Sequence, residues 1–288
     1  ERVTTISFAS SFTKDYSVLA ITHSGSNTYL QAGSWGTDPV WNEAADFDDY
    51  PVLITNKLAA SIGGMTTSIA KPLDYEGRYK SKRYLWVHVN YDDGTGEIFR
   101  LRDTAVKAIE MQIPGMPWLS VLSYFGHIES GKAMVGLLDI AHAMDPTCEG
   151  VQVYRNDAIE DMEICCKAWK EACKPPTSQM AAGAFYIAPN KAYCMGIGNG
   201  PYYDEGAFSV SFDDGDTWNQ LSMIDTNIDY LSDVAKPPDC NKTLLASVNL
   251  DSGCSCDSVW LKAEELSEAE EYSGKWMRVW CGELENGF

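Results

Sequence analysis

Ser211-Phe212-Asp213-Asp214-Gly215-Asp216-Thr217-Trp218 is the stretch from which the fold can be read. It is a hairpin turn by composition. The Asp213 carboxylate can accept backbone hydrogen bonds, Gly215 permits a positive φ, and Trp218 opens the next apolar segment with a large ring to bury. The residues just before it, Phe208-Ser209-Val210-Ser211, alternate apolar and polar as a half-buried strand does. The stretch is therefore strand, tight turn, strand.

Working outward, the same arrangement recurs. Thr5 to Ala20 lines up with Tyr230-Leu231-Ser232-Asp233-Val234-Ala235, a polar turn from Lys236 to Cys240, and Leu244-Leu245-Ala246-Ser247. A third copy runs from Ala184 to Gly196, and a fourth joins Val121 to Gly126 with Ala133 to Gly136. A fainter fifth surrounds Pro51 to Thr55 and Tyr84 to Val89. Each copy leads through alternating residues to a Trp-containing strand. Tyr29-Leu30-Gln31 leads to Trp41, Val151 to Arg155 to Trp169, Phe208 to Ser211 to Trp218, and Val259-Trp260-Leu261 to Trp276. From Trp169 to Trp218 to Trp276 the spacings are 49 and 58 residues, the size of a four-stranded propeller blade. The reading is an all-β propeller over residues 1–288, with Trp41, Trp169, Trp260 and Trp276 as blade-core aromatics. Its units are about 1–48, 49–112, 113–176, 177–226 and 227–288. Five are recognisable, and the irregular spacing admits five to seven blades.

The stretch from Ser211 to Trp218 matches S-x-D-x-G-x-T-W at every defined position, and in this it resembles the Asp-box, or bacterial neuraminidase repeat, propellers. That family includes sialidases, sortilin-type receptor domains, photosystem II assembly factors and bacterial cell-surface proteins. The resemblance implies a structural role for Ser211, Asp213, Gly215, Thr217 and Trp218, in a turn between the third and fourth strands of a blade, on the rim and away from the centre. The other copies depart from the box. Asn90 to Glu97 keeps an Asp-Asp-Gly turn without the Trp. In two units helical insertions are expected instead. Ile159, Met162, Cys166, Trp169 and Cys173 recur at spacings of three and four, and Ala263 to Tyr272 is rich in Glu and in good helix formers.

Composition bounds the function. The chain has 288 residues, 45% of them hydrophobic, enough to bury a large core. Its net charge of -19 argues against nucleic acid and anionic membrane as partners, since both need a basic footprint. The longest apolar stretch, Ala133 to Met144, is interrupted by Asp139 and His142, and falls short of the ~20 residues of a membrane helix. The opening Glu1-Arg2-Val3 carries no initiator Met and no signal-peptide h-region, and reads as a cut end.

All nine cysteines fall after residue 147: Cys148, Cys165, Cys166, Cys173, Cys194, Cys240, Cys254, Cys256 and Cys281. Their spacing lacks the paired C-x2-4-C of zinc sites, so they are read as disulfide candidates of an exported protein, connectivity open. Asn241-Lys242-Thr243 is a sequon, making Asn241 a candidate glycosylation site. The acidic turns at Asp46-Asp48-Asp49 and Asp213-Asp214-Asp216, with Glu149, Asp157, Glu160 and Asp161, offer oxygen ligands to Ca2+, although no EF-hand loop places one. A solvated acidic face is the simpler account. No organic cofactor is expected.

No catalytic set is visible. By the resemblance, a sialidase would need three substrate-gripping arginines, a tyrosine–glutamate nucleophile pair and an acid Asp near the first blade. The chain has seven arginines and no arginine-isoleucine-proline signature near its N-terminus. A nucleophile elbow, P-loop, H-E-x-x-H and dinucleotide fingerprint are all absent. Gly196-Ile197-Gly198-Asn199-Gly200 leads into Pro201-Tyr202-Tyr203 rather than a helix, so it offers no phosphate site. The expectation is a non-catalytic, secreted or cell-envelope propeller, surface-layer-like in character, that binds protein or glycan or assembles with itself. A glycan-active hydrolase of sialidase-like architecture is the alternative.

Overall fold

The structure is a computed structural model, describing all residues except 1, 37–39, 43–46, 48, 61–65, 103–107, 116–117, 139–151, 158–168, 177–180, 198–204, 226–229, 236–241, 249–256, 264–275 and 283–288. Five antiparallel sheets stand in a ring as the blades of a propeller. Blade 1 holds β1 (Arg2–Phe8), β2 (Ser17–Ser24), β3 (Asn27–Ser34), β4 (Val40–Trp41) and β5 (Val52–Thr55). Blade 2 holds β6 (Thr67–Ala70), β7 (Tyr84–Asn90), β8 (Gly96–Arg102) and β9 (Ile109–Glu110). Blade 3 holds β10 (Leu119–Phe125), β11 (Lys132–Leu137), β12 (Val153–Asn156) and β13 (Lys170–Glu171). Blade 4 is β14 (Ala181–Ala188), β15 (Lys191–Ile197), β16 (Glu205–Ser211) and β17 (Asn219–Asp225). Blade 5 is β18 (Tyr230–Ala235), β19 (Lys242–Val248), β20 (Asp257–Ala263) and β21 (Trp276–Gly282). Each sheet draws its strands from one consecutive stretch of chain, and among the described residues no strand is shared between the first and last blades.

In blade 1 both β4 and β5 pair with β3, on the edge that β2 leaves open. Together they form one outer strand in two pieces. Val52–Thr55 thus completes blade 1 rather than opening the second unit, as the repeat suggested. Thr67–Ala70 takes the first place in blade 2 instead.

Strand periodicity explains the packing between blades. Successive side chains point to opposite faces, and each blade is apolar on both. In β7, Leu85, Val87 and Val89 pack with Leu19, Ile21, Leu30 and Ile54 of blade 1, while Trp86 packs with Leu122 and Val135 of blade 3. Met134 and Val153 meet Ala184, Cys194 and Trp218 across the next seam. Phe185, Tyr193, Met195 and Phe208 meet Leu245, Val234 and Trp260 across the one after. Neighbouring blades approach through their first strands, β1 with β6, β6 with β10 and β10 with β14, which places those strands nearest the axis.

The helical expectation is corrected where it can be seen. Trp169 sits at the entry to β13, which pairs with β12, so extended chain replaces the helix there. Residues 158–168 and 264–275 lie outside the described residues. Among the described residues the helices are one turn, α1 (Phe12–Asp15), and a 3-10 turn at Lys80–Lys82, and no helix is long and apolar enough to cross a membrane.

Candidate functional site

The turn from Ser211 to Trp218 joins β16 to β17, the third and fourth strands of blade 4. Ser211 and Asp213 organise it. The Ser211 hydroxyl donates to Asp213 Oδ1 at 2.7 Å and accepts from the Gly215 N–H at 2.8 Å. Asp213 accepts the Thr217 N–H at 2.9 Å and the Thr217 hydroxyl at 2.6 Å. Gly215 has φ +84°, and a Cβ there would stand 2.4 Å from Met134 Cε of blade 3. The Trp218 indole N–H closes the turn on the Gly215 carbonyl at 3.1 Å, with the ring buried in the seam between blades 3 and 4. At Asp213, burial opposes ionisation but is outweighed by hydrogen bonds from Thr217 and Ser211, so its carboxyl is held below the ordinary value of 3.8.

The remaining acidic side chains of the turn reach across to blade 3. Asp214 pairs with Lys132 of β11 at 2.6 Å, and Asp216 pairs with Arg155 of β12. Backbone follows the same direction: Lys174 N–H donates to the Asp216 carbonyl, and Trp218 N–H donates to the Lys174 carbonyl, both at 3.1 Å. The turn is a latch between two blades. Its carboxylates already hold cationic or hydroxyl partners, which a calcium ion would have to displace. Elsewhere Asp49 pairs with Lys80, and Asp157 with Lys170 at 3.2 Å. Among the described residues no group of three His, Cys, Asp or Glu is placed to hold a metal. Asp46, Asp48, Glu149, Glu160 and Asp161 lie outside the described residues.

The Asp-Asp-Gly turn at Tyr91 to Thr95 joins β7 to β8, the second and third strands, so it points to the opposite face of the ring from the latch. Asp93 accepts the Thr95 N–H at 3.0 Å, a local Asx-type bond.

The expected blade-core aromatics divide. Trp169 is buried in the seam between blades 2 and 3, and its indole N–H donates to the Met111 carbonyl at 3.0 Å. Trp260 packs half-buried against blade 4. Trp41 is corrected: it is 39% exposed, on β4 at the outer edge of blade 1, and belongs to none of the buried clusters. Trp276 lies on β21, its side chain outside the described residues. The sequence reading missed Trp86, which stacks on Tyr124 of blade 3 with ring centroids 4.2 Å apart. Its place in the apolar run Leu85-Trp86-Val87 was the available signal.

Cys173 and Cys194 are free thiols, which corrects two of the disulfide candidates. Cys194 faces the blade 3–4 seam, and burial pushes its thiol well up. Cys148, Cys165, Cys166, Cys240, Cys254 and Cys256, the side chain of Cys281, and Asn241 all lie outside the described residues.

The five first strands read RVTTISF, TSIA, LSVLSYF, AAGAFYIA and YLSDVA, rich in hydroxyl, aliphatic and aromatic residues and with one carboxylate residue among them, Asp233, whose side chain lies outside the described residues. Between β1 and β6, Thr5 donates to the Thr67 carbonyl at 2.8 Å, and Lys71 Nζ donates to Ser7 Oγ. Burial lowers the Lys71 amine to about 8.

The comparisons agree with this architecture. No known family signature matches the chain, and no curated protein is similar to it. Among solved structures it is similar to a GH74 xyloglucanase from Xanthomonas campestris, with TM-score 0.55 and 12% identity over 96% of this chain and 37% of that one. It is also similar to TolB from Acinetobacter baumannii, with TM-score 0.50 and 10% identity over 96% of this chain and 56% of that one. The chain thus spans little more than a third of the first and just over half of the second. At such identities the likeness is one of fold, that of a β-propeller.

Proposed function

We propose that the chain is an exported propeller that works as a non-catalytic protein or glycan interaction module, and that Ser211 to Trp218 is an Asp-box whose role is to lock blade 4 to blade 3. The observation carrying this reading is the composition of the first strands. A glycosidase needs two carboxylates flanking the scissile bond, and the sequences of these strands contain one carboxylate residue, Asp233. The acidic side chains of the box are consumed by Lys132, Arg155 and Thr217. Trp35 and Tyr16 on blade 1 and Phe212 on blade 4 are exposed aromatics of the kind that protein and sugar ligands both use. Cysteine density, the Asn241 sequon and the acidic surface support export. Fractionation of cells carrying the tagged chain, followed by glycan-array binding with the purified protein, tests it. Recovery in the envelope or medium and saturable binding are expected. Retention in the cytosol overturns export.

A further inference from the structure

In blades 1 and 2 the segment joining the first strand to the second carries α1 in one case and residues 71–83 in the other. Turns of this kind stand at the same end of a sheet as those between third and fourth strands, so both segments lie on the face that carries the latch. They are laced together over 62 to 64 residues of sequence. The Ser10 hydroxyl donates to the Pro72 carbonyl at 2.8 Å, the Gly77 N–H donates to Asp15 Oδ2 at 2.9 Å, and Lys71 donates to Ser7. Pro72, Tyr75 and Gly77 are buried beneath the lacing, which turns Leu73, Arg78 and Tyr79 outward. Leu73 and Tyr79 are 58% and 59% exposed, and Tyr16, just after α1, is 48% exposed.

Charge is concentrated here against the trend of the molecule. Across the chain Asp and Glu outnumber Lys and Arg by 41 to 22. On α1 and residues 71–83 six cations, Lys14, Lys71, Arg78, Lys80, Lys82 and Arg83, stand against three carboxylates. Those three are engaged. Asp15 is buried and accepts the Ser17 and Gly77 N–H groups, Asp74 accepts the Ile128 N–H at 2.9 Å, and Glu76 pairs with Lys82. Lys80 pairs with Asp49, while Lys14 and Arg78 are exposed and make no ion pair with a described residue.

We propose that this face of blades 1 and 2 is a docking surface for an acidic peptide segment of a partner protein. Charge complementarity selects the partner's sign, with Lys14 and Arg78 as the cations open to its carboxylates. Leu73, Tyr16 and Tyr79 stand beside those cations and suit a segment that places apolar side chains between its acidic ones. A uniformly polar polyanion would leave these three uncovered. The rest of the molecule, which holds the excess of carboxylates, repels an extended polyanion or an anionic bilayer, so a short segment fits best.

The proposal rests on the interaction-module reading and names the partner's chemistry. Fluorescence anisotropy of a labelled peptide of alternating Glu and Leu, titrated with the whole chain, is the test, beside the same peptide with Gln in place of Glu. Saturable binding of the Glu peptide that weakens as salt rises is expected, with none of the Gln peptide. Lys14→Glu and Arg78→Glu should each raise the dissociation constant by at least about tenfold. Lys57→Glu makes the same charge change on the opposite face, beside the Asp93 turn, and should bind as the wild type does. No binding at low salt overturns the proposal, as does equal loss in all three variants or equal binding of both peptides. Binding of polygalacturonate or of phosphatidylserine vesicles at this face in place of the peptide also overturns it. If a variant does not fold, the two peptides and the salt series on the wild type still decide. Glycoside turnover would sink the module reading whether or not the peptide binds, so the two fail separately.

Discussion

Asp213 is the residue on which the latch turns, although it lies exposed at the surface. It accepts from Thr217 twice and from Ser211 once, so Asp213→Ala should cost about 1 kcal/mol, read as a lower urea midpoint at unchanged slope. Asp213→Asn keeps one acceptor oxygen and should lose less. Its folded carboxyl titrates below 3.8, so its contribution is present above that pH and fades as pH falls through the lower folded value; the Ala variant should lack that part of the acid transition. Lys71 behaves in the opposite sense. Its folded amine titrates near 8 against 10.5 when unfolded, so the folded state gives up its proton first and stability should rise as pH climbs between those values. Lys71→Met should abolish that rise and stabilise the protein at pH 7 by about 1 to 3 kcal/mol. Neither effect requires catalysis.

At the scale of elements, the seams carry the stability. Trp218 is buried to 1% exposure in the blade 3–4 seam, and Trp218→Ala should cost about 3 to 5 kcal/mol, the range for large aromatic truncation in a core. Gly215→Ala combines a left-handed φ with a clash against Met134, and should destabilise by about 1 to 3 kcal/mol, visible as a lowered Tm. A double-mutant cycle on Arg155 and Asp216 should give a coupling of about 1 kcal/mol, because both side chains are largely shielded from solvent. The turn was legible in sequence because its chemistry is local: serine, aspartate, glycine and threonine two to four residues apart can satisfy one another wherever the fold puts them. The acceptors of Asp214 and Asp216 were not legible. Lys132 and Arg155 stand 82 and 61 residues away, and only the ring brings them alongside. The split outer strand of blade 1 escaped for a related reason. Val52–Thr55 has a strand's composition, and composition does not say which edge it will join.

For the whole molecule, repetition of strand, turn and strand was enough to give the propeller and its blade size, because each unit must bury two apolar faces against its neighbours. Trp41 shows the limit of that reading. A Trp at the repeat position is core only where a neighbouring blade covers it: Trp169, beside the equally short β13, is buried in the seam between blades 2 and 3, whereas Trp41 is left 39% exposed. The centre of the ring is the least informative part of the sequence, since hydroxyls and aliphatics are common to every strand. It nevertheless carries the functional claim. The most direct measurement is hydrolysis of a broad panel of glycosides and oligosaccharides by the purified chain, beside Asp233→Asn. No turnover above background in either protein is predicted. Turnover by the wild type that Asp233→Asn or another single Asp or Glu substitution abolishes would contradict the account.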